Sequence, residues 1–329
     1  MAKAARTCRI CAHAEDNRPF LAREMMFGSR EEFEYFECAQ CGAVQIREIP
    51  RDLGRYYPRD YLSFAKPRRG PNRLRRYLKR CRTRQALGQP NLLGRLLGLG
   101  RPLPPLLEWA KNAGLRLDDA ILDVGSGCGR LLLKMRAAGF SNLTGVDPFV
   151  QSDLHYDSHT RVLKLDLTEL DGLYDFIMLH HSLEHAPDPL RTLREVRRLL
   201  RPGRFCLVRT PIAGSFARRT YGANWVQLDP PRHLVLHTER SFRLLAGQAG
   251  LELVKTVFDS KGFQFWGSEL YQRNIPLREG VLPEGRPRKG LFTARELAAF
   301  EAEAERLNER GQGDQACFYL RKPAEAGAA

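Results

Sequence analysis

The segment Ile121-Leu-Asp-Val-Gly-Ser-Gly-Cys-Gly129 stands between a short apolar run and a helical pattern. Residues 120–124 are typical of a strand and residues 131–138 of a helix, so the glycines form the turn that joins them. Such a turn lets a ligand approach the backbone, and the N-terminus of the following helix faces that ligand. The dinucleotide fingerprint requires glycine at position 130, where this chain has Arg130. The turn therefore predicts a ligand site without matching that fingerprint.

Strand and helix patterns continue to alternate toward the C-terminus. Further strands are predicted at 143–146, 162–165, 176–179, 205–208, 251–257 and 316–320, with helices at 190–200 and 241–249. Strands that alternate with helices form a mostly parallel, doubly wound α/β sheet, here of seven strands. The right-handed crossover rule then places the carboxyl ends of the strands along one edge of the sheet.

Acidic residues end two of these strands. Asp147 follows Gly125 by 22 residues and ends the second strand, where a carboxylate can accept hydrogen bonds from both ribose hydroxyls. Asp166 ends the third strand, in position to accept from the exocyclic amine of an adenine. One glycine turn and two successive strand-terminal acids describe a nucleoside pocket. The alternative is that the two acids lie in unrelated loops.

Four motifs resemble, in order, those of class I S-adenosylmethionine-dependent methyltransferases. They are Ile121–Gly129, Gly145-Val-Asp147, Leu165-Asp-Leu167 and Tyr174-Asp-Phe-Ile-Met-Leu-His-His-Ser-Leu-Glu-His-Ala-Pro-Asp-Pro189. The match spans about residues 118–258 and implies a Rossmann-like fold with S-adenosylmethionine as the methyl donor. By this resemblance the donor contacts Asp123, Gly125, Ser126, Gly127 and Gly129 at its methionine end, Asp147 and Pro148 at its ribose, and Asp166 and Leu167 at its adenine. It also implies that His181 lies beside the sulfonium.

Two C-x-x-C pairs near the N-terminus predict a metal site. Cys8 and Cys11 form one pair, Cys38 and Cys41 the other, and 26 residues separate the pairs. Each pair bends two sulfurs toward one ion, which is the spacing of a structural, tetrahedral four-thiolate zinc site. The alternative is four unrelated buried thiols. Together with the Tyr-Tyr-Pro…Tyr segment at 56–61, the pairs resemble bacterial methyltransferases with an added zinc module, including sugar and surface-polysaccharide enzymes.

Composition and charge restrict the class of protein. The 329 residues are 43% hydrophobic and 28% charged, which excludes a wholly disordered chain. No apolar run is long enough for a transmembrane helix, and the start lacks the apolar core of a secretory signal, so we expect a cytoplasmic protein.

The net charge of +15 is concentrated in one stretch. Residues 61–107 contain twelve Lys or Arg and no acid, and residues 71–99 within them predict two helices broken at 88–90. Such a stretch is either a solvated helix face or a contact for an anionic acceptor, a nucleic acid or the surface of a membrane.

These patterns divide the chain into three parts. Residues 1–60 are predicted to form a ribbon-like zinc module with a hairpin, residues 61–112 a basic helical linker or cap, and residues 113–329 the donor-binding domain. Within that domain, residues 212–237 are predicted to be an acceptor loop and residues 262–312 a helical insertion.

Histidines are the candidates for a general base on the acceptor side. Pro231-Arg-His-Leu234 resembles the E-H-L segment of sugar methyltransferases with a histidine base, although Arg232 replaces the acid, so His233 is the first candidate. His181, His185, His180 and His237 are the others. Trp225 and Tyr221 are expected either to stack on a sugar ring or to close the core.

Three functions remain open on the sequence alone. The first is methyl transfer to a small-molecule or glycan acceptor, such as a nucleotide-linked or lipid-linked sugar. The second is an RNA methyltransferase that grips phosphates with the zinc module and the basic helices. The third is a non-catalytic module that binds S-adenosylmethionine. The sequence leaves open the acceptor, the methylated atom and the oligomeric state.

Overall fold

The computed structural model of the protein describes residues 7–57 and 72–324. The N-terminal residues form three antiparallel strands, β1 (Arg18–Arg23), β2 (Glu32–Glu37) and β3 (Val44–Ile46). The predicted hairpin around the second C-x-x-C pair is therefore confirmed, and β1 is an additional strand. Residues 58–71, which include the predicted boundary at 60/61 and part of the basic stretch, lie outside the described residues.

The basic stretch continues as helices. They are α1 (Arg73–Ala86), α2 (Leu92–Gly98) and α3 (Pro105–Asn112). The side chains of Asn72 and Asn91 accept a backbone N–H at the start of α1 and α2, respectively, which satisfies donors that a helix leaves free. The two predicted helices and the break between them at 88–90 are confirmed.

The rest of the chain alternates between strands and helices as predicted. The elements are β4 (Ala120–Val124), α4 (Arg130–Ala138), β5 (Asn142–Val146), β6 (Leu154–Asp157), β7 (Thr160–Leu163), β8 (Tyr174–His180), α5 (Pro189–Leu199), β9 (Leu200–Pro211), α6 (Phe216–Tyr221), β10 (Val235–Leu236), α7 (Glu239–Gln248), β11 (Glu252–Phe258), α8 (Phe263–Gln272), α9 (Leu277–Gly280), α10 (Ala294–Glu309) and β12 (Gln315–Arg321).

Within the described residues the central sheet has eight strands, in the order β11-β12-β9-β8-β4-β5-β7-β6. The pairings from β9 through β8, β4 and β5 to β7 are parallel, which confirms the mostly parallel, doubly wound sheet. The predicted number of seven strands is one too few. The additional strand, β6, pairs antiparallel with β7 at the edge, and its short polar sequence carries no apolar run that would predict a strand.

The N-terminal strands are not a separate domain. β10 pairs antiparallel with β3, so a segment of the C-terminal part completes a four-stranded sheet β1-β2-β3-β10. One hydrophobic cluster runs continuously from the cysteine pairs through β10 to the inner face of the central sheet. The N-terminal module and the central domain therefore share a core, and we expect them to unfold together. None of the helices in the described ranges is both long enough and apolar enough to cross a membrane.

Candidate functional site

The glycine turn lies at the carboxyl end of β4 and holds its shape through backbone hydrogen bonds. The N–H groups of Gly125 and Ser126 both donate to the carbonyl oxygen of Val146, at 2.9 and 3.2 Å. Gly125 has a φ of +72°, and a Cβ there would lie 2.7 Å from the Cβ of Ser182. Only glycine combines that backbone conformation with so close an approach. The chain beyond β8 therefore packs directly against the turn.

A cavity of about 260 Å³ opens above this turn. It lies at the carboxyl ends of β4 and β8 and beside the N-terminus of α4, where a parallel sheet binds its ligands. The lining residues are Asp123, Gly125, Ser126, Gly127, Arg130, Leu131 and His180. The predicted residues for the methionine end of the donor thus line this cavity, apart from Gly129, which forms the N-cap of α4.

Asp147 stabilises the glycine turn through hydrogen bonds. Its two carboxylate oxygens accept from the N–H of Gly127 at 2.8 Å and from the N–H of Phe149 at 2.9 Å. Asp147 is buried, whereas Pro148 and Phe149 are exposed. This carboxylate is held next to the glycine turn, but neither Asp147 nor Pro148 lines the cavity, and their assignment to the ribose stays a prediction.

Asp123 is a buried carboxyl group in the wall of the cavity. Burial, reinforced by the negative charge of Asp147, raises its pKa to about 8. The side chain therefore holds its proton near neutral pH when the cavity contains no cation. A cationic ligand group in the cavity would favour the ionised form.

Asp166 and Leu167 lie away from this cavity. β7 ends at Leu163, three residues earlier than Asp166, and the Asp166 carboxylate accepts from the hydroxyl and the N–H of Thr168 at 2.6 and 3.0 Å. These hydrogen bonds lower the pKa of Asp166 and make it the N-cap of the short turn Leu167–Glu169. Neither residue lines the cavity described above. Their assignment to the adenine stays a prediction.

His180 forms the far wall of the cavity with an unsatisfied ring nitrogen. Its ring lies against Trp109 of α3, with ring centroids 4.3 Å apart, and its Nε2 is buried without a hydrogen-bond partner in the described part of the protein. Burial holds the pKa of His180 well below its usual range, so the imidazole is neutral. Sequence patterns did not identify Trp109, because it precedes every motif of the donor site.

His181 is engaged through both ring nitrogens. Its Nδ1–H donates to Glu184 at 3.1 Å, and its Nε2 accepts from Arg209 at 2.8 Å. Although burial opposes it, the hydrogen bond from His181 lowers the pKa of Glu184 to about 2. Arg209 also donates to Asp259 at 2.6 Å. Because the lone pair of His181 is occupied, the ring fits a positioning role better than the base role in which it was a candidate.

His185 and His233 face each other, with ring centroids 4.8 Å apart. The Nδ1 of His233 lies 2.8 Å from the carbonyl oxygen of Gln227, and the Nδ1 of His185 lies 2.9 Å from that of Arg232. A carbonyl oxygen accepts only, so both protons sit on Nδ1 and both lone pairs on Nε2. Burial and the neighbouring His233 lower the pKa of His185 to about 4. His185 is therefore neutral at neutral pH.

Arg232 is a fully buried cation rather than a ligand of an acceptor. It donates to both oxygens of Asp229 at 2.6 and 2.9 Å, and to Glu24 of the N-terminal module at 2.8 Å. Glu24 lies 208 residues away in sequence, so no local pattern predicts this cluster. Arg232 therefore ties the acceptor-side segment to the N-terminal sheet.

The predicted acceptor loop at 212–237 is not an exposed lid. Trp225 is completely buried and donates from Nε1 to Asp314 at 3.0 Å, so it closes the core instead of offering a stacking face. Tyr221 is also buried, and its hydroxyl donates to Glu269 at 3.1 Å. His237 is buried and lies 3.3 Å from the Ser241 hydroxyl. The segment is long because it supplies core residues and β10, not because it moves over a site.

The four N-terminal cysteines converge as predicted. The Sγ atoms of Cys8 and Cys41 lie 3.6 Å apart, those of Cys11 and Cys38 lie 3.5 Å apart, and all four lie within 4.8 Å of one another. The edges of a tetrahedron with Zn–S bonds of about 2.3 Å measure about 3.8 Å, so these separations fit one zinc ion. Gln45 donates to Cys8 Sγ at 3.0 Å, which orients a thiolate ligand.

A second group of potential ligands contains a carboxylate that is already committed to hydrogen bonds. Glu184, His185 and His233 also bring ligand-type atoms within 4.8 Å of one another. Both carboxylate oxygens of Glu184, however, accept hydrogen bonds, from His181 and from Thr210 at 3.1 Å each. Among the described residues, the four cysteines are therefore the better candidate for a metal centre.

Comparison with known families matches most of this region to one model. Residues 69–256 match the family described as a methyltransferase domain. That range includes the residues that line the donor cavity, the two facing histidines and β10.

Curated relatives match a shorter part of the chain. A ubiquinone biosynthesis O-methyltransferase of Aromatoleum aromaticum is 32% identical over 112 residues, covering 30% of this chain and 47% of that protein. A tRNA U34 carboxymethyltransferase of Syntrophotalea carbinolica is 33% identical over 115 residues, covering 30% of this chain and 34% of that protein. The chain thus spans about half the length, or less, of these relatives.

Among solved structures, one S-adenosylmethionine-dependent methyltransferase from Methanosarcina mazei aligns with 17% identity and a TM-score of 0.41. The alignment covers 68% of this chain and 99% of that one.

Proposed function

The chain belongs to the methyltransferase-domain family, and we propose that it transfers the methyl group of S-adenosylmethionine to a small-molecule or glycan acceptor, such as a nucleotide-linked or lipid-linked sugar. The arrangement that carries this proposal is the cavity above the glycine turn. It combines a backbone that a ligand can approach, the buried Asp123 in its wall and the Asp147 carboxylate next to it. A donor held at this sheet edge would present its sulfonium to the side of His180 and His181.

Methyl transfer from a sulfonium is an in-line displacement, so the protein must hold the acceptor atom in line with the methyl group. A hydroxyl or carbon acid must also lose a proton to a base. We propose His233 for this role, because its Nδ1–H bond to Gln227 leaves the Nε2 lone pair free. Asp229 Oδ2, at 3.9 Å from that Nε2, would stabilise the imidazolium that forms. His233 is largely buried, with 9% of its side chain exposed, so an acceptor hydroxyl would have to reach Nε2 through that exposed part.

We also propose that Cys8, Cys11, Cys38 and Cys41 hold one structural zinc ion. Four thiolates make a closed site with no open position for substrate, so the ion would stabilise the fold and take no part in the transfer. The Gln45 hydrogen bond and the positive φ of Ala12 and Gly42, at 60° and 72°, support two preformed knuckles.

The test of the acceptor class is a transfer assay with radiolabelled S-adenosylmethionine. The acceptors are a panel of nucleotide sugars, lipid-linked saccharides and bulk tRNA, the last because one curated relative is named for tRNA. We expect label in a sugar fraction. Label in tRNA alone would overturn the acceptor class in favour of an RNA methyltransferase, and donor binding without transfer to any acceptor would favour a non-catalytic binding module.

The test of the base uses His233→Ala, with His155→Ala at an exposed position as the matched control. We expect turnover of His233→Ala to fall by about 10² to 10⁴-fold, the usual effect of losing a positioned base, with donor affinity nearly unchanged. The control should turn over like the parent. If donor affinity collapses while turnover at saturation survives, His233 belongs to the donor pocket and the base assignment is wrong.

A further inference from the structure

The helical hairpin of residues 73–101, here called the basic hairpin, exposes large apolar side chains to solvent. On α2 and just after it, Leu92, Leu96 and Leu99 follow one another at helical spacing and are each more than half exposed, Leu92 by 77%. Leu74 and Tyr77 on α1 are exposed as well. These positions supply about half of the large exposed apolar side chains in the described residues. Single exposed leucines need no explanation, but a contiguous group marks an interaction surface.

Close packing of α1 against α2 turns the exposed leucines of α2 away from α1. Gly94 of α2 is buried against α1, where a Cβ would clash with the carbonyl oxygen of Cys81. Only glycine allows the backbones to approach so closely, so the side of α2 that carries Gly94 faces α1. Leu92 and Leu96 are therefore held away from α1, and Leu99 lies at the edge of the cavity described next, 66% exposed.

The same hairpin is uniformly cationic. It carries nine Lys or Arg and no acid. Between α1, α2 and the segment that follows lies a cavity of about 330 Å³ lined by Arg82, Arg95 and Arg101. The Nε of Arg82 is buried without a hydrogen-bond partner within the part of the chain that the structure describes. Arg82 Nη2 donates to the carbonyl oxygen of Pro102 at 2.6 Å, so Nε is the donor left for an anionic oxygen such as a phosphate.

We propose that the basic hairpin docks on the surface of an anionic membrane. The leucine row would enter the boundary between headgroups and acyl chains, the arginines would pair with lipid phosphates, and the Arg82 cavity would take one headgroup. This combination of an apolar row with cations and no acids is the composition of a helix that lies in a membrane interface.

A second copy of the chain and a nucleic acid fit the surface of the basic hairpin less well than a membrane does. A second copy of this chain, joined by twofold symmetry, would set nine like charges against nine with no acid on either side. Single-stranded nucleic acid is held by stacking on aromatic rings, and the hairpin has one aromatic residue, Tyr77, beside its leucines. Charge complementarity and the exposed leucines together therefore favour the lipid surface.

The docking goes beyond the proposed methyl transfer and does not depend on it, because the hairpin lies outside the donor cavity. It does bring a lipid surface near that cavity. α3 follows the hairpin directly, and its Trp109 packs on His180 in the cavity wall. An acceptor carried on a lipid would thus be presented close to the donor.

The experiment is co-sedimentation of the full chain with vesicles, without S-adenosylmethionine, so that failed docking and failed catalysis are read separately. Vesicles of phosphatidylcholine with phosphatidylglycerol are compared with vesicles of phosphatidylcholine alone. The apolar variant is Leu92→Ser, Leu96→Ser, Leu99→Ser, and its matched control is Leu21→Ser, Leu173→Ser, Leu244→Ser, which changes three exposed leucines elsewhere. We expect the apolar variant to bind anionic vesicles about tenfold or more weakly and the control to bind like the parent.

A second pair of variants tests the cationic part. Arg82→Gln with Arg95→Gln should weaken binding to anionic vesicles, and high salt should weaken binding of the parent in the same way. Arg240→Gln with Arg243→Gln, on exposed positions of α7, is the matched control. Inorganic phosphate at millimolar concentration should not displace the protein from vesicles if the lipid surface is the ligand. Thermal unfolding of each variant confirms that it is folded.

Several results would overturn the proposal. Equal binding to neutral and anionic vesicles, or none to either, excludes an anionic surface as the partner. Vesicle binding that survives the three leucine substitutions shows that this face is not used. A dimer in solution that the leucine variant converts to a monomer assigns the face to a second copy, and retention on single-stranded RNA but not on vesicles assigns it to nucleic acid.

Discussion

The Asp147 carboxylate has two roles, one in the glycine turn and one in the proposed donor complex. It accepts hydrogen bonds from Gly127 and Phe149, and in the proposed complex it also accepts from the ribose. Asp147→Ala should weaken S-adenosylmethionine binding by about 1.5–3 kcal/mol, because it removes a charge-assisted acceptor and releases the turn. Calorimetry measures the loss, with the exposed Asp153→Ala as control. Equal affinity of Asp147→Ala and the parent would place the donor elsewhere.

The protonated Asp123 carboxyl group predicts that donor binding releases a proton. Its pKa of about 8 means that the free protein carries a proton there at pH 7. A bound cation favours the carboxylate, so binding expels the proton, and affinity should rise with pH up to about 8 and then level off.

Calorimetry in buffers of different ionisation enthalpy tests this linkage. At pH 7 we expect close to one proton to be released per donor bound, and none in Asp123→Asn. Asp153→Asn should behave as the parent does. The same heat in every buffer would show that Asp123 keeps one protonation state throughout.

The limits of sequence reasoning are clearest at single residues. The glycine turn, Asp123 and Asp147 could be placed because a strand, a turn and a helix follow one another directly in the chain. Arg209, which holds His181, could not, because its role depends on the pairing of β8 with β9. The strand before Asp166 was predicted to reach residue 165 but ends at Leu163, since an apolar run does not mark where pairing stops.

Among the elements, β10 and the Arg232 cluster before it link the two sheets. Arg232→Ala should lower the free energy of unfolding by about 3–5 kcal/mol, because it leaves the buried carboxylates of Asp229 and Glu24 without their partner. Urea unfolding followed by circular dichroism measures the change. Arg321→Ala, which breaks the exposed pair with Glu252, should cost only about 0–1 kcal/mol. Similar losses for the two variants would mean that the buried cluster is not a structural link.

The elements that sequence patterns missed share a physical reason. β6 and β10 have four and two residues, too short for a periodicity to develop. Residues 212–237 resemble an acceptor loop by composition, because Trp, Tyr, Arg and His suit both a sugar-binding surface and a core with polar partners. Only the hydrogen-bond partners of these side chains distinguish a sugar-binding surface from a core. Asp314, which accepts from Trp225, is far away in sequence.

At the scale of the whole molecule, the shared core couples the cysteine site to the donor domain. We expect about one zinc ion per chain and a single thermal transition, with removal of the ion by a strong chelator lowering its midpoint by about 5 °C or more. Cys38→Ser should lose the ion, whereas Cys81→Ser, outside the cluster, should keep it. Metal analysis well below one equivalent, or two separate transitions of which only the smaller responds to chelation, would contradict this coupling.

Because β3 pairs with β10, the N-terminal sheet can be completed only late in the synthesis of the chain. The first three strands leave the ribosome early, but their fourth neighbour, Val235–Leu236, follows only after residues 47–234 have been translated. At about 5–20 residues per second, that interval lasts about 9–38 s. Throughout it the outer edge of β3 has no partner, and such an edge can pair with other chains. We therefore expect the nascent N-terminal sheet to be most prone to wrong pairing before residues 235–236 arrive to close it.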